Sequence, residues 1–131
     1  MSGTTVADEK EGVVLVVDDS IIACKVLSRD MAPHFKRVLT TTDSTTICEM
    51  AVREKVDCVV MDLLMPEVDG YEAMQRIFTQ LPGVRVILVS ADIQNKTRQK
   101  ALELGAFAFF NKPVAMPDLI KTIQKALQKD H

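Results

Sequence analysis

The stretch VVLVVDDS, residues 13–20, decides how the rest of the chain is read. Five apolar, mostly β-branched residues in a row, closed by two carboxylates and a serine, are apolar on both faces and far shorter than a helix. A strand of that kind belongs in a parallel sheet covered on both sides, not in an antiparallel sheet with one wet face. Four further runs share its character: Arg37 to Thr41 (RVLTT), Asp57 to Met61 (DCVVM), Val84 to Ser90 (VRVILVS) and Ala106 to Phe110 (AFAFF).

Between these runs the apolar spacing changes from two to three and four residues, predicting helices over Ile21 to Met31, Ser44 to Lys55, Tyr71 to Gln80, Asp92 to Leu104 and Pro117 to Lys129. Ile93, Thr97, Ala101 and Leu104 read as one buried stripe, and Leu119, Ile120, Ile123 and Leu127 as another. Gly105 follows the fourth helix as a stop, Pro117 stands in the first turn of the fifth, and Asp69 with Glu72 reads as a capping pair for the third. Strand and helix in strict alternation imply right-handed crossovers and a doubly wound α/β fold with five parallel strands and five helices. In such a fold ligand chemistry sits at the carboxyl ends of the strands.

The bulk properties agree with a single domain of this kind. The chain has 131 residues, 47% hydrophobic and 26% charged, with five Pro and five Gly. That length buries roughly two thirds of the unfolded surface, enough for a core without staples. A net charge of −2 excludes polybasic and disordered classes and argues against a general nucleic-acid binder. No apolar run approaches the length of a spanning helix and residues 1–12 lack an apolar signal core, so the expectation is a cytoplasmic protein with no membrane association. Residues 1–12 read as a flexible tail and 13–131 as the domain, the last helix leaving no stretch for an attached output module. Cys24, Cys48 and Cys58 have no CxxC spacing and read as buried reduced thiols. Lys121, Lys125 and Lys129 form a basic stripe that reads first as a solvated helix face.

The fold brings together residues that the sequence keeps apart. Asp18 and Asp19 follow the first strand, Asp62 the third and Ser90 the fourth, with Lys112 just after the fifth. Singly, each has an ordinary role as a helix cap, turn former or solvated lysine; the conjunction at four strand ends is what points to chemistry. Three carboxylates in one cleft repel unless a cation lies among them, and an all-oxygen set suits Mg²⁺ or Mn²⁺ better than zinc. In MDLLMPEVDG (61–70), Pro66 and Gly70 can bend the loop so that the Leu64 carbonyl also faces the ion. A carboxylate beside a divalent ion, a lysine and a hydroxyl is equipped for nucleophilic attack on phosphorus, with Asp62 as the nucleophile.

Those residues resemble the receiver domain of two-component response regulators: VVDDS at 16–20, MDLLMPEVDG at 61–70, VSA at 89–91 and FFNKP at 109–113. The resemblance runs from about residue 13 to the end. It implies a flavodoxin-like strand order of 2-1-3-4-5. It further implies that Asp62 takes a phosphoryl group from a histidine kinase or histidine phosphotransfer protein, that Asp18, Asp19, Asp62 and the Leu64 carbonyl hold Mg²⁺, and that Lys112 meets a phosphoryl oxygen. The Lys112 to Pro113 peptide is a candidate cis bond. Ser90 and Phe109 occupy the switch positions, reshaping the face of the fourth helix, fifth strand and fifth helix toward an output protein. Leu64 and Asp92 occupy positions that tune hydrolysis.

Phe109 is often Tyr in the family; lacking a hydroxyl, it is expected to favour the inward position even without phosphate, unless it is core alone. The leading expectation is a stand-alone, chemotaxis-type receiver, not an enzyme beyond its own phosphorylation and dephosphorylation, and monomeric or dimeric on activation. Alternatives are a relay intermediate or phosphate sink, a Mg²⁺-dependent aspartyl-phosphate hydrolase, and a docking module. Against the hydrolase, the second acid expected two residues after the nucleophile is replaced by Leu64, and no residues remain for a cap. His34 and His131 lack a helical setting for relay, so the phosphoryl donor is expected to be another protein.

Overall fold

A computed structural model describes residues 11–128. Strands β1 (Val13–Val17), β2 (Arg37–Thr41), β3 (Cys58–Asp62), β4 (Arg85–Ser90) and β5 (Ala108–Asn111) form one parallel sheet in the order β2-β1-β3-β4-β5. Helices α1 (Ile21–Met31), α2 (Ile47–Arg53), α3 (Gly70–Gln80) and α4 (Asn95–Glu103) supply the four crossovers, and α5 (Met116–Leu127) follows the last strand. The doubly wound, flavodoxin-like arrangement is therefore present.

Alternation along each strand divides the core in two. Leu15, Val17, Val59, Met61, Val86, Leu88 and Phe109 pack with α2, α3 and Ala101 of α4. Val14, Val16, Val60, Ile87 and Val89 lie on the other side with Cys24 of α1 and Leu119, Ile123 and Ala126 of α5. Leu119 is 0% exposed. Leu119→Ala is expected to cost about 2–5 kcal/mol, through lost transfer energy and the cavity left behind. A lower urea midpoint at unchanged slope is the check.

The differences from the sequence reading lie at element ends. Asp62 is the last residue of β3 and not the residue after it. The expected helix over Ser44 to Lys55 begins as a 3-10 turn, Ser44–Thr46, because the Asp43 carboxylate accepts from both N (3.0 Å) and Oγ1 (2.6 Å) of Thr45. Helix α4 begins at Asn95 and not at Asp92, because the Asp92 carboxylate accepts from Gln94 N–H at 2.9 Å and draws the chain into a turn. Ile93 therefore drops out of the expected stripe and is 78% exposed, while Leu104 is only partly covered.

Asp69 caps α3 through Tyr71 N–H at 2.9 Å, but Glu72 does not complete a capping box: its carboxylate lies 4.0 Å from Arg76. Gly70 has no unusual φ to bend the loop; its place is fixed by close approach, since a Cβ there would lie 2.7 Å from the Leu63 carbonyl oxygen. Gly105 does stop α4 as expected, with φ +111°. Cys48 is half-buried, unlike Cys24 and Cys58, and burial pushes the Cys58 thiol up to about 12. His34 ends a 3-10 turn, Ala32–His34.

A hairpin that periodicity did not signal, Leu64–Met65 with Val68–Asp69, follows β3 directly. Residues 1–10 of the expected tail, and Lys129 of the basic stripe, lie outside the described residues. Gly12 is tied at the sheet's lower edge, its carbonyl accepting from Lys36 and Arg37 N–H at 3.1 and 3.3 Å. Among the described residues no helix is long and apolar enough to cross a membrane.

Candidate functional site

Parallel strands β1, β3 and β4 end level with one another, which delivers their terminal side chains to one edge. Asp18 and Asp62 are buried there, and Asp19 is exposed beside them. One carboxylate oxygen from each of the three lies within 4.8 Å of the others. Lys112 reaches in from the loop after β5 and donates to Asp62 Oδ2 at 2.8 Å and Asp18 Oδ2 at 3.1 Å. The remaining oxygens are held by main chain: Asp18 Oδ1 accepts from Ser20 N–H at 2.9 Å and Asp62 Oδ1 from Leu64 N–H at 3.0 Å. Burial pulls the Lys112 pKa down, but hydrogen bonds and charge from Asp62 and Asp18 outweigh it and leave the pKa raised.

Local sequence explains the placement. Ser20 caps α1, its Oγ accepting from Ala23 N–H at 3.1 Å, so the chain turns sharply after Asp18 and Asp19. The peptide between Lys112 and Pro113 is cis, as the resemblance suggested. An apolar cleft of about 560 Å³, floored by Val16, Val60 and Val89, opens between α1 and the loop after β5 and ends at Asp18, Asp62 and Lys112. The donor set is one a hard divalent ion accepts: three carboxylates within reach of one another and no imidazole or thiolate among them.

The other expected site residues stand nearby but make different contacts. Ser90 is fully buried, and its Oγ accepts from Asp92 N–H at 3.0 Å. Phe109 is packed inward at 4% exposure, on the core side shared with α2, α3 and α4. Leu64 is 59% exposed beside Asp62. Asp92 accepts from Gln94 N–H and, at 2.8 Å, from Thr97 Oγ1, which together hold its carboxyl below the usual carboxylate range.

Four residues around this edge had not been singled out for the site. Asn111 Nδ2 donates to the Asp92 carbonyl at 2.9 Å, Thr97 Oγ1 donates to the Asp92 carboxylate, Tyr71 OH donates to the Thr97 carbonyl at 3.2 Å, and Arg98 Nη1 donates to the Phe109 carbonyl at 3.3 Å. The available signals were thin: Asn111 precedes Lys112 directly, and Thr97 lies five residues after Asp92.

An α/β sheet presenting an acid cluster and a lysine at its carboxyl edge has the layout of a phosphoacceptor domain. Residues 14–124 match the response regulator receiver domain, and the chain belongs to that family. It is similar to the DNA-binding transcriptional regulator NtrC of Azospirillum brasilense, 30% identical over 117 residues, covering 89% of this chain and 24% of that protein. The response regulator domain of Thermotoga maritima CheB superposes with a TM-score of 0.81 at 32% identity, covering 93% of this chain and all of that one. The chemotaxis protein CheY4 of Vibrio cholerae shares the fold, with a TM-score of 0.81 at 24% identity, covering 89% of this chain and 99% of that one. The chain spans between about a quarter and about half of the length of the curated relatives it matches. Receiver domains are phosphorylated on Asp, generally bind Mg²⁺ in an acidic pocket, and work with histidine kinases and effector domains.

Proposed function

We propose that Asp62 is the phosphoacceptor of a signalling receiver. The observation that carries this reading is its placement, buried at the end of the central strand with Lys112 shared between it and Asp18. An Asp62 oxygen attacks phosphorus, a new O–P bond forms, and the P–N bond to the donor imidazole breaks as the ring leaves. Asp18, Asp19, Asp62 and the Leu64 carbonyl would hold Mg²⁺, with Mn²⁺ as a substitute; when bound, the ion supplies charge neutralisation on phosphoryl oxygens. Lys112 adds a second positive charge on those oxygens. Intact mass after treatment with acetyl phosphate and Mg²⁺ tests the reading: a gain of one phosphoryl group supports it, and no gain overturns it.

Ser90 acts as the switch hydroxyl, turning toward the phosphoryl group, and Phe109 follows as the switch aromatic. Its burial supports an inward preference even before phosphorylation. The altered face of α4, β5 and α5 then meets an output protein. We read the chain as a stand-alone, chemotaxis- or motility-type regulator in the cytoplasm, catalysing only its own phosphorylation and dephosphorylation, and monomeric or dimeric on activation; the chemotaxis protein CheY4 has the same fold. Affinity capture with and without beryllofluoride and Mg²⁺ separates this from a relay or sink. A partner gained only on activation supports the output reading, and capture of a kinase or phosphotransfer protein alone, unstrengthened by activation, favours the relay.

Leu64 and Asp92 set the phosphoryl lifetime. Leu64 has no polar side-chain atom with which to orient an attacking water and is exposed at the mouth of the site. Leu64→Asn is expected to speed loss of the phosphoryl group several-fold, followed by intact mass over time; an unchanged decay rate would remove Leu64 from this role.

A further inference from the structure

The Ser90 hydroxyl oxygen is engaged by Asp92, on which a set of polar contacts converges. Asp92 N–H donates to Ser90 Oγ at 3.0 Å. The rest of Asp92 is fixed from two directions. Its carboxylate accepts from Gln94 N–H at 2.9 Å and Thr97 Oγ1 at 2.8 Å, tying it to α4. Its carbonyl accepts from Asn111 Nδ2 at 2.9 Å, tying it to the end of β5. The next residue, Lys112, donates its N–H to the Ser90 carbonyl at 2.9 Å, so the two loops are joined by both main chain and side chain.

We propose that Asn111 is a positioning residue for Ser90, acting through Asp92 to hold the hydroxyl in its resting orientation. Asn111 is exposed, so its side chain adds little to core packing, and its bond to the Asp92 carbonyl is its structural contribution. In the proposed activated state, the Ser90 hydroxyl turns to another staggered well to donate its proton to an oxygen carried on Asp62 and gives up the Asp92 N–H. Every contact that fixes Asp92 therefore favours the resting state, and loss of one shifts the balance toward the activated state. The inference rests on the reading of Asp62 as phosphoacceptor.

The test is a double-mutant cycle on the full chain. Beryllofluoride affinity in the presence of Mg²⁺ is measured for wild type, Asn111→Ala, Asn111→Gln, Ser90→Ala and the Ser90→Ala/Asn111→Ala double variant, alongside amide exchange of Asp92 by NMR. Asn111→Ala is expected to bind beryllofluoride about threefold to tenfold more tightly, as for the loss of one resting-state hydrogen bond, and to exchange the Asp92 amide faster. Asn111→Gln, which keeps a donor on a longer arm, is expected to fall between. In the Ser90→Ala background the Asn111→Ala gain is expected to vanish.

An equal gain in both backgrounds, or no gain where wild type binds, overturns the role given to Asn111. If wild type binds no beryllofluoride, the phosphoacceptor reading fails instead. Asp92 amide exchange then decides the Asn111 contact alone: faster exchange in Asn111→Ala upholds it, and unchanged exchange removes it.

Discussion

Asp62→Asn is expected to gain no phosphoryl group from acetyl phosphate and Mg²⁺, under conditions in which the wild-type protein gains one. The substitution is nearly isosteric. An asparagine carbonyl oxygen can still accept from Leu64 N–H or Lys112, each of which now meets a carboxylate oxygen at 3.0 or 2.8 Å, while Lys112 also keeps Asp18. What is lost is the anionic oxygen proposed to attack phosphorus. The variant should therefore fold and unfold cooperatively, and its loss of phosphorylation should be complete. Intact mass reads the outcome directly; if Asp62→Asn were still phosphorylated, Asp18 or Asp19 would be the acceptor.

Lys112→Met separates two effects that a single activity assay would merge. In the proposed reaction the ammonium lies against developing charge, and its removal is expected to slow phosphorylation about 10²–10³-fold, the scale seen when one preorganised donor to developing charge is lost. The same change removes the cation that competes for Asp18 and Asp62. The Lys112 side chain is 34% exposed while those of Asp18 and Asp62 are 6% and 9% exposed, so each ion pair is only partly screened by solvent. Mg²⁺ binding to the variant is expected to tighten at least threefold to fivefold, the scale set by an exposed pair worth up to about 1 kcal/mol.

Slower phosphorylation with tighter metal binding would place Lys112 on the phosphoryl group; weaker metal binding would make it a scaffold for the acid cluster. The Lys112 pKa is raised on folding, so the pairs contribute their full stability below the ordinary lysine value and lose it only as pH climbs through the raised one. The charge state of Lys112 is accordingly constant across neutral pH, and any change in rate there comes from another group.

Most of this arrangement was legible because it depends on one-dimensional patterns. Runs such as Val13 to Val17 and Val86 to Val89 are apolar on both faces because both faces are covered, and the alternation of strands and helices fixes where the carboxyl ends meet. Asp18, Asp62, Ser90 and Lys112 stand out in the sequence because each lies at or just beyond the end of a strand-like run. The start of α4 was not legible from spacing, since the Asp92 turn competes locally with the helix and the competitor won. The hairpin after β3 has strands of two residues, too short to display a period. Asn111 to Asp92 was invisible for another reason: the residues are 19 apart in sequence, and only the parallel pairing of β4 and β5 makes them neighbours. Nor did spacing reveal that Ile21 and Ile22, on an otherwise regular helix, are 61% and 75% exposed.

Helix α4 contributes one buried side chain, Ala101. Its other ties are polar: the Tyr71 hydroxyl on the Thr97 carbonyl, the Gln75 amide on the Leu104 carbonyl at 2.8 Å, the Lys100 ammonium 4.5 Å above the Tyr71 ring, and Arg98 on the Phe109 carbonyl. Lifting the helix from the sheet uncovers little apolar area, and water replaces most of what the polar ties supply. The amides of α4 should consequently exchange with solvent through a local opening well below the global unfolding free energy, while those of β1, β3 and β4 wait for the whole domain to open. A region with so shallow an energetic attachment can take a second position without disturbing the core, and partner binding to that position needs to supply only a small free energy to populate it.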